Sequence, residues 1–144
     1  MDCVIDTNVF EHSHNPSDKH YDCASRFLMA FRDSGDLAYF DVGNRIVQEY
    51  KTRLGHFDPA SLCLSVLAQL LRDHRYQLVD TNLEPQEVVW LNSQVTGRVD
   101  RIMARVARNS LTKSLVSNDG DLNKYARNGL RSRWKVVVRS SCEV

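Results

Sequence analysis

Four carboxylates along this chain occupy places where an acid is not the default residue. Two of them lie at the ends of apolar, strand-like segments, and two border the apolar stripe of a predicted helix. If the four converge in one crevice, their mutual repulsion requires either a retained proton or a bound cation. Oxygen-only ligation suits Mg²⁺ or Mn²⁺, and these ions support phosphoryl chemistry with water as the nucleophile. The candidates are Asp6, Glu49, Asp100 and Asp119.

Each acid also has a simpler interpretation. Asp is common as a helix N-cap and in turns, so Asp6 and Asp119 could serve only the local backbone. Glu49 and Asp100 could lie on exposed helix faces and pair with neighbouring arginines, which stabilises a helix by roughly a few tenths of a kcal/mol. The two interpretations differ in one geometric respect, because only a metal site requires the acids to lie close together.

Alternating strand-like and helical segments must position these acids. Short apolar segments predict strands at Cys3–Ile5, Leu37–Phe40, Tyr76–Val79, Ser114–Ser117 and Lys135–Val138. Helical spacing predicts helices at Ala24–Phe31, Asn44–Leu54, Ala60–Arg72, Val88–Leu91, Val99–Ala107 and Asp121–Arg127. The alternation predicts a single α/β domain over residues 1–144, with a mostly parallel sheet of about five strands and helices on both faces.

A parallel sheet gives a reason to expect the acids to meet. Ligands of such sheets bind in the crevice outside the carboxyl ends of the strands, and Asp6 and Asp119 each follow a strand at that end. Glu49 borders the buried stripe of its predicted helix. Asp100 lies on another predicted helix, on whose surface it is flanked by Ala104 and Ala107. Small neighbours allow a metal or ligand to approach closely.

Charge is distributed unevenly along the chain. Residues 1–97 carry 8 basic and 14 acidic side chains, whereas residues 98–139 carry 11 basic and 3 acidic ones. A basic segment of this size is typical either of a polyanion-binding surface or of a solvated, arginine-rich helix. The candidates for contact with a polyanion are Arg98, Arg101, Arg105 and Arg108 on one predicted helix, followed by Lys124 and Arg127.

The cysteines and the apolar runs bear on the compartment. The four cysteines lie far apart, without the paired spacing of a zinc site or a redox dithiol. There is no basic leader followed by an apolar stretch, and no apolar run long enough to span a membrane. The sequence therefore predicts a soluble, cytoplasmic protein with reduced thiols and no disulfide.

Four segments, in this order, resemble the PIN-domain ribonucleases, and their layout is most similar to that of VapC-type toxins. The segments are VIDTNVF, VQEY, VDRIMARVA and LVSNDGDL, and the resemblance spans residues 2–138. It implies an acidic pocket at the carboxyl edge of a parallel sheet and Mg²⁺- or Mn²⁺-dependent endonucleolytic cleavage of RNA. The expected products carry a 5′-phosphate and a 3′-hydroxyl.

The resemblance also implies roles for single residues. Asp6, Glu49, Asp100 and Asp119 would form the acidic cluster, with Asp6 and Asp100 as the foremost metal ligands. Asp119 would be a further ligand, and Asp121 would be an auxiliary ligand or act through water. Asn8 and Ser117 would support the cluster by hydrogen bonds. The basic side chains named above would contact the RNA. A cognate antitoxin and a homodimer are expectations of the family alone.

Several alternatives stay open at this point. A PIN-like domain that binds RNA or protein without catalysis is one, and a stand-alone RNA-processing nuclease competes with the toxin of a type II toxin–antitoxin pair. A response-regulator receiver would need further acids and a lysine that the strand ends do not supply. A haloacid-dehalogenase-type phosphatase would need a second Asp where Asn8 stands.

Two further groups of residues receive a structural interpretation. Residues 11–20, EHSHNPSDKH, match no family pattern, and we expect an exposed, flexible loop that carries His12, His14 and His20. Trp90 and Trp134 could stack on bases. Their places on an amphipathic helix and beside a terminal strand favour the core instead.

Overall fold

The computed structural model describes all residues, 1–144, and confirms an α/β fold. The strands are β1 Val4–Ile5, β2 Ala38–Asp41, β3 Tyr76–Val79, β4 Ser114–Val116 and β5 Val137–Arg139. The helices are α1 Thr7–His12, α2 Tyr21–Ser34, α3 Arg45–Leu54, α4 Leu62–Arg72, α5 Pro85–Gln94, α6 Arg98–Asn109 and α7 Arg127–Trp134, and a π-helical segment, Asp121–Ala126, leads into α7.

All strand pairs are parallel. β1, β4 and β5 form one sheet in the order β1-β4-β5, and β2 pairs with β3 in a second. A single bridge between Cys3 and Ala38 connects the two sheets, so the strands follow one another in space as β5-β4-β1-β2-β3. Every residue of β1, β2 and β4 is buried. Because successive side chains point to opposite faces, the helices cover both faces of these strands.

The predicted strands agree with the observed ones to within two residues, but two helices were missed. The predicted first strand ends at Ile5, and α1 then begins at Thr7, with the Asp6 side chain as its N-cap. Val9 and Phe10 are buried on this short helix, where the sequence shows too few residues for a helical period. α7 was missed because Gly129 and a run of polar residues obscure its pattern. Its buried residues are Leu130 and Trp134 alone.

Aromatic residues join α3 to the strand that carries Asp6. Tyr50 is buried and packs edge-on against Phe10, with ring centroids 5.0 Å apart, and against Phe40 at 5.9 Å. Its hydroxyl donates a hydrogen bond to the carbonyl of Ile5, the residue just before Asp6. Burial raises the pKa of the Tyr50 phenol well above its usual value, so the hydroxyl stays protonated as a donor. This bond fixes the end of β1 against α3.

The prediction of four reduced cysteines was wrong. Cys23 of α2 and Cys142, after β5, form a disulfide, whereas Cys3 and Cys63 are free and buried. The two bonded cysteines are 119 residues apart in sequence. Spacing could not reveal this bond, since it depends on the C-terminal segment returning to α2.

The expectation of an exposed loop over residues 11–20 is confirmed in part. Residues 13–20 form turns between α1 and α2, and most of them, including His14, are exposed, whereas the first two residues of the segment belong to α1. His12 stacks on His20 with centroids 5.2 Å apart and lies 3.2 Å from the side-chain amide of Asn118, while His14 stacks on Phe57 at 4.0 Å.

The core prediction for the tryptophans is confirmed for Trp134, which is buried, and Trp90 packs edge-on against it with centroids 5.0 Å apart. Trp134 also donates a hydrogen bond from its indole N–H to Glu87, at 2.7 Å. None of the helices combines the length and the apolar character that a membrane span requires.

Candidate metal centre

Pairing between β1 and β4 brings the first candidate acid to the centre of the sheet edge. Ile5 is in register with Val116, and the Asp6 N–H donates to the Val116 carbonyl at 2.9 Å. After β1 the chain continues to β2 on one side, whereas β4 lies on the other side. The strand order therefore reverses between β1 and β4, which is the place where open parallel sheets bind ligands.

Hydrogen bonds hold the Asp6 carboxylate in one orientation. Ser117 Oγ donates to Asp6 Oδ2 at 2.6 Å, and Asn8 Nδ2 donates to the same oxygen at 2.9 Å. Oδ1 receives only the backbone N–H of Asn8, at 3.5 Å. Oδ2 of Asp6 thus has two side-chain partners, whereas Oδ1 has a single long hydrogen bond and could take a further ligand. Asn8 and Ser117 hold the positions that the sequence suggested for supporting residues.

Three of the four candidate acids converge. One carboxylate oxygen each from Asp6, Asp100 and Asp119 lies within 4.8 Å of the others. Asp6 is buried, with 5% of its surface exposed, and the other two are half-buried. Asp6 therefore combines two tasks that the sequence presented as alternatives, because it caps α1 and also belongs to the cluster.

The negative charges of the clustered carboxylates are not balanced by nearby positive groups, and the pKa values of two of them are raised. Burial raises the pKa of Asp6 to about 7, the Ser117 hydrogen bond opposes this shift, and the charges of Asp100 and Asp119 add to it. Burial likewise raises the pKa of Asp100 to about 6, followed by the charges of Asp119 and Glu49. Three oxygen donors that repel one another, with a free Oδ1 on Asp6, fit a hard divalent cation.

The loop after β4 is shaped by its own polar side chains. The Asp119 N–H donates to Ser117 Oγ at 3.0 Å, and the N–H of Asp121 donates to Asp119 Oδ1 at 2.7 Å. Asn123 Nδ2 donates to the carbonyls of Ser117, at 2.7 Å, and Asp119, at 2.8 Å. Asn123 was missed in the sequence, although its place four residues after Asp119 was a signal for such a bond.

Hydrogen bonds continue from this loop to the C-terminal segment. Asn8 Oδ1 accepts the N–H of Asn118 at 3.0 Å, and the side-chain oxygen of Asn118 accepts both the N–H and the hydroxyl of Ser141, at 2.9 and 3.0 Å. Asn118 is buried, so these partners satisfy a side chain that water does not reach freely. The segment after β5 therefore supports the loop that carries Asp119.

Glu49 and Asp121 lie near the three acids but outside the group. Glu49 is half-buried and pairs with Arg53 at 3.4 Å, and Arg53 also pairs with Glu11 at 2.6 Å. Asp121 is exposed and shares a cavity of about 160 Å³ with Asp100. The charges of both acids raise the pKa of Asp100, whereas Arg53 lowers it. Sequence reasoning missed Arg53, which looked like an ordinary exposed residue of its helix.

Gly97 gives Asp100 its place at the start of α6. A Cβ atom on this glycine would lie 2.6 Å from Asp100 Oδ2, which is closer than atoms can approach. The glycine is the N-cap of α6, so Asp100 lies in the first turn, where the helix dipole favours a negative charge. A glycine two residues before the motif VDRI was the available signal.

The six basic side chains predicted to contact RNA have different surroundings. Arg98, Arg101 and Arg105 line one cavity, while Arg108 lies over the Trp134 ring at 5.4 Å and lines another. Lys124 is exposed in the π-helical segment, and Arg127 pairs with Glu143 at 3.1 Å.

We expect that the Asp100→Asn variant is more stable than the wild type without metal and that Mg²⁺ reverses this order. The pKa of Asp100 is raised from 3.8 to about 6 in the folded protein. The folded state then binds more protons than the unfolded one, so this carboxyl lowers stability as pH rises from about 4 to about 6. Allowing for its partial exposure, the variant should gain about 1 kcal/mol at pH 7 and little at pH 4.

Thermal melts at these two pH values, in EDTA and in Mg²⁺, measure this difference. Asp33→Asn is the matched control, since Asp33 is exposed and distant in sequence from the cluster. The same ranking of the two proteins in EDTA and in Mg²⁺ would contradict a shared cation site.

No protein-family model and no curated protein matches this chain.

Proposed function

We propose that this protein is a Mg²⁺- or Mn²⁺-dependent endoribonuclease that hydrolyses phosphodiester bonds of RNA. The observation that carries the proposal is the convergence of Asp6, Asp100 and Asp119 within 4.8 Å at the strand-order reversal. The resemblance of four ordered segments to the PIN-domain ribonucleases supports the same conclusion.

The protein's own residues would divide the work among them. Asp6, Asp100 and Asp119 would hold the cation, with Asp6 oriented by Ser117 and Asn8. A bound Mg²⁺ or Mn²⁺ would supply Lewis-acid stabilisation of phosphate charge and lower the pKa of water. Glu49 and Asp121 add negative charge next to these ligands and so strengthen cation binding.

The biological setting is proposed on the resemblance alone. It favours the toxin of a type II pair, held inactive by a cognate antitoxin, over a stand-alone RNA-processing nuclease. A cytoplasmic location belongs to the same proposal. The Cys23–Cys142 disulfide counts against that location, because disulfides are rare in the cytosol.

The proposal is tested with single-stranded RNA and the wild-type protein in Mg²⁺, Mn²⁺ and EDTA. We expect cleavage with either cation and none in EDTA, with fragments that carry a 5′-phosphate and a 3′-hydroxyl. End-group analysis distinguishes this route from attack by the 2′-hydroxyl, which leaves a 2′,3′-cyclic phosphate. Cleavage that persists in EDTA would overturn the proposal, and so would uncleaved RNA in both cations.

A further inference from the structure

A second cavity lies at the same edge of the sheet, beyond β2 and β3. It has a volume of about 450 Å³, and its lining includes Asp41 at the end of β2 and Thr81 after β3. The lining also contains four arginines from two helices: Arg45, Arg98, Arg101 and Arg105. The three acids of the candidate metal centre are not among its lining residues.

The positive charge of this arginine cavity is poorly compensated. None of its four arginines forms an ion pair with a carboxylate. Asp41 is the one acid in the lining; it is 1% exposed, and its two oxygens accept the N–H groups of Ile46 at 2.8 Å and Arg45 at 3.0 Å. An anion that enters the cavity therefore meets guanidinium groups rather than a free carboxylate.

One guanidinium group is held in place before any ligand binds, and a second has an unpaired donor. Arg101 Nε donates to the carbonyl of Val95 at 2.6 Å, and its terminal nitrogen donates to that of Asn92 at 3.4 Å. Arg105 is half-buried, and its Nε is enclosed without an acceptor. An enclosed donor without a partner costs free energy, which an acceptor from a ligand would recover.

We propose that the arginine cavity is a phosphate-binding site separate from the metal centre. Guanidinium groups match phosphate oxygens with two parallel hydrogen bonds, and four of them around one cavity neutralise more than a single phosphate. The volume falls within the range of small-molecule sites. The phosphate comes either from the backbone of single-stranded RNA, which rests on the proposed function, or from a free nucleotide, which does not.

Binding is measured in EDTA, so that the result does not depend on cleavage. The probes are a fluorescent single-stranded RNA, AMP, inorganic pyrophosphate and a glutamate-rich peptide whose net charge equals that of the RNA. The variants are Arg45→Ala and Arg105→Gln, and Arg131→Ala is the control, because it removes the same charge from an exposed position on α7. Circular dichroism verifies that each variant is folded.

We expect RNA to bind about tenfold more weakly to both cavity variants, with the salt dependence of binding reduced by about one phosphate contact. The control should stay within about twofold of the wild type. Pyrophosphate that displaces RNA from the wild type supports the RNA source, and AMP binding that is lost in the variants supports the nucleotide source.

Two results would overturn the proposal. One is unchanged binding of RNA, AMP and pyrophosphate in both folded variants. The other is that the glutamate-rich peptide displaces RNA as efficiently as pyrophosphate does. That result would indicate a surface that binds anions in general and not phosphate in particular. These binding measurements are made without Mg²⁺ and do not depend on cleavage. Failure of the nuclease proposal is therefore distinguishable from failure of the phosphate-site proposal.

Discussion

Replacement of Asp6 by Asn is expected to lower RNA cleavage by at least about a hundredfold. Loss of a residue that only hydrogen-bonds to a metal ligand typically lowers activity by up to about a hundredfold, and Asp6 is proposed to bind the cation directly. In the wild type, Asp6 Oδ2 accepts from Ser117 and Asn8. The one oxygen of an asparagine would keep these two donors. Its amide nitrogen would then face the cation, where Asp6 Oδ1 offers a negatively charged ligand.

Initial rates of RNA cleavage at saturating Mg²⁺ measure this effect. Asp33→Asn serves as the control, since it makes the same chemical change at an exposed residue paired with Arg32. The Asp6→Asn variant should also remain folded, because its buried site loses a charge and keeps its shape. More than about a tenth of wild-type activity in this variant would be incompatible with Asp6 as a direct ligand.

Loss of the Cys23–Cys142 disulfide is expected to lower the free energy of unfolding by about 4 kcal/mol, because the bond closes a loop of more than a hundred residues. The effect arises mainly in the unfolded chain, which gains freedom when the bond is absent. Urea denaturation of the wild type and of Cys142→Ser, each with and without dithiothreitol, measures it.

The reductant provides an internal control for this prediction. Dithiothreitol should lower the stability of the wild type to that of Cys142→Ser and leave the variant unchanged. Under non-reducing denaturation, thiol titration should detect only Cys3 and Cys63 in the wild type. Four reactive thiols in freshly purified protein would contradict the disulfide.

The cluster of Asp6, Asp100 and Asp119 could be anticipated from the sequence because two of its residues follow from sheet geometry. Asp6 directly follows β1 and Asp119 lies in the loop after β4, and parallel strands place their carboxyl ends at one edge. Asp100 was found through its small neighbours on an amphipathic helix. The α/β fold is confirmed for the same reason, since alternating strand and helix patterns leave few arrangements. The nuclease activity stays a prediction.

The features that sequence reasoning missed depend on contacts between distant segments. No local pattern indicates that Cys142 returns to α2 or that Ser141 supports Asn118. Arg45 was missed for a similar reason, because it reaches the cavity from α3 while the other three arginines belong to α6. The sequence grouped Arg108 with the other three arginines of α6, whereas in the structure it lies over the Trp134 ring.

The packing of Trp90 against Trp134 determines what optical spectroscopy can report. The chain has two tryptophans, and both lie at the junction of α5 and α7, with Arg133 4.8 Å above the Trp90 ring. Intrinsic fluorescence excited at the red edge of the absorption band therefore monitors this one corner of the molecule. Events at the three clustered aspartates require a separate reporter, such as the paramagnetism of Mn²⁺ observed through water relaxation.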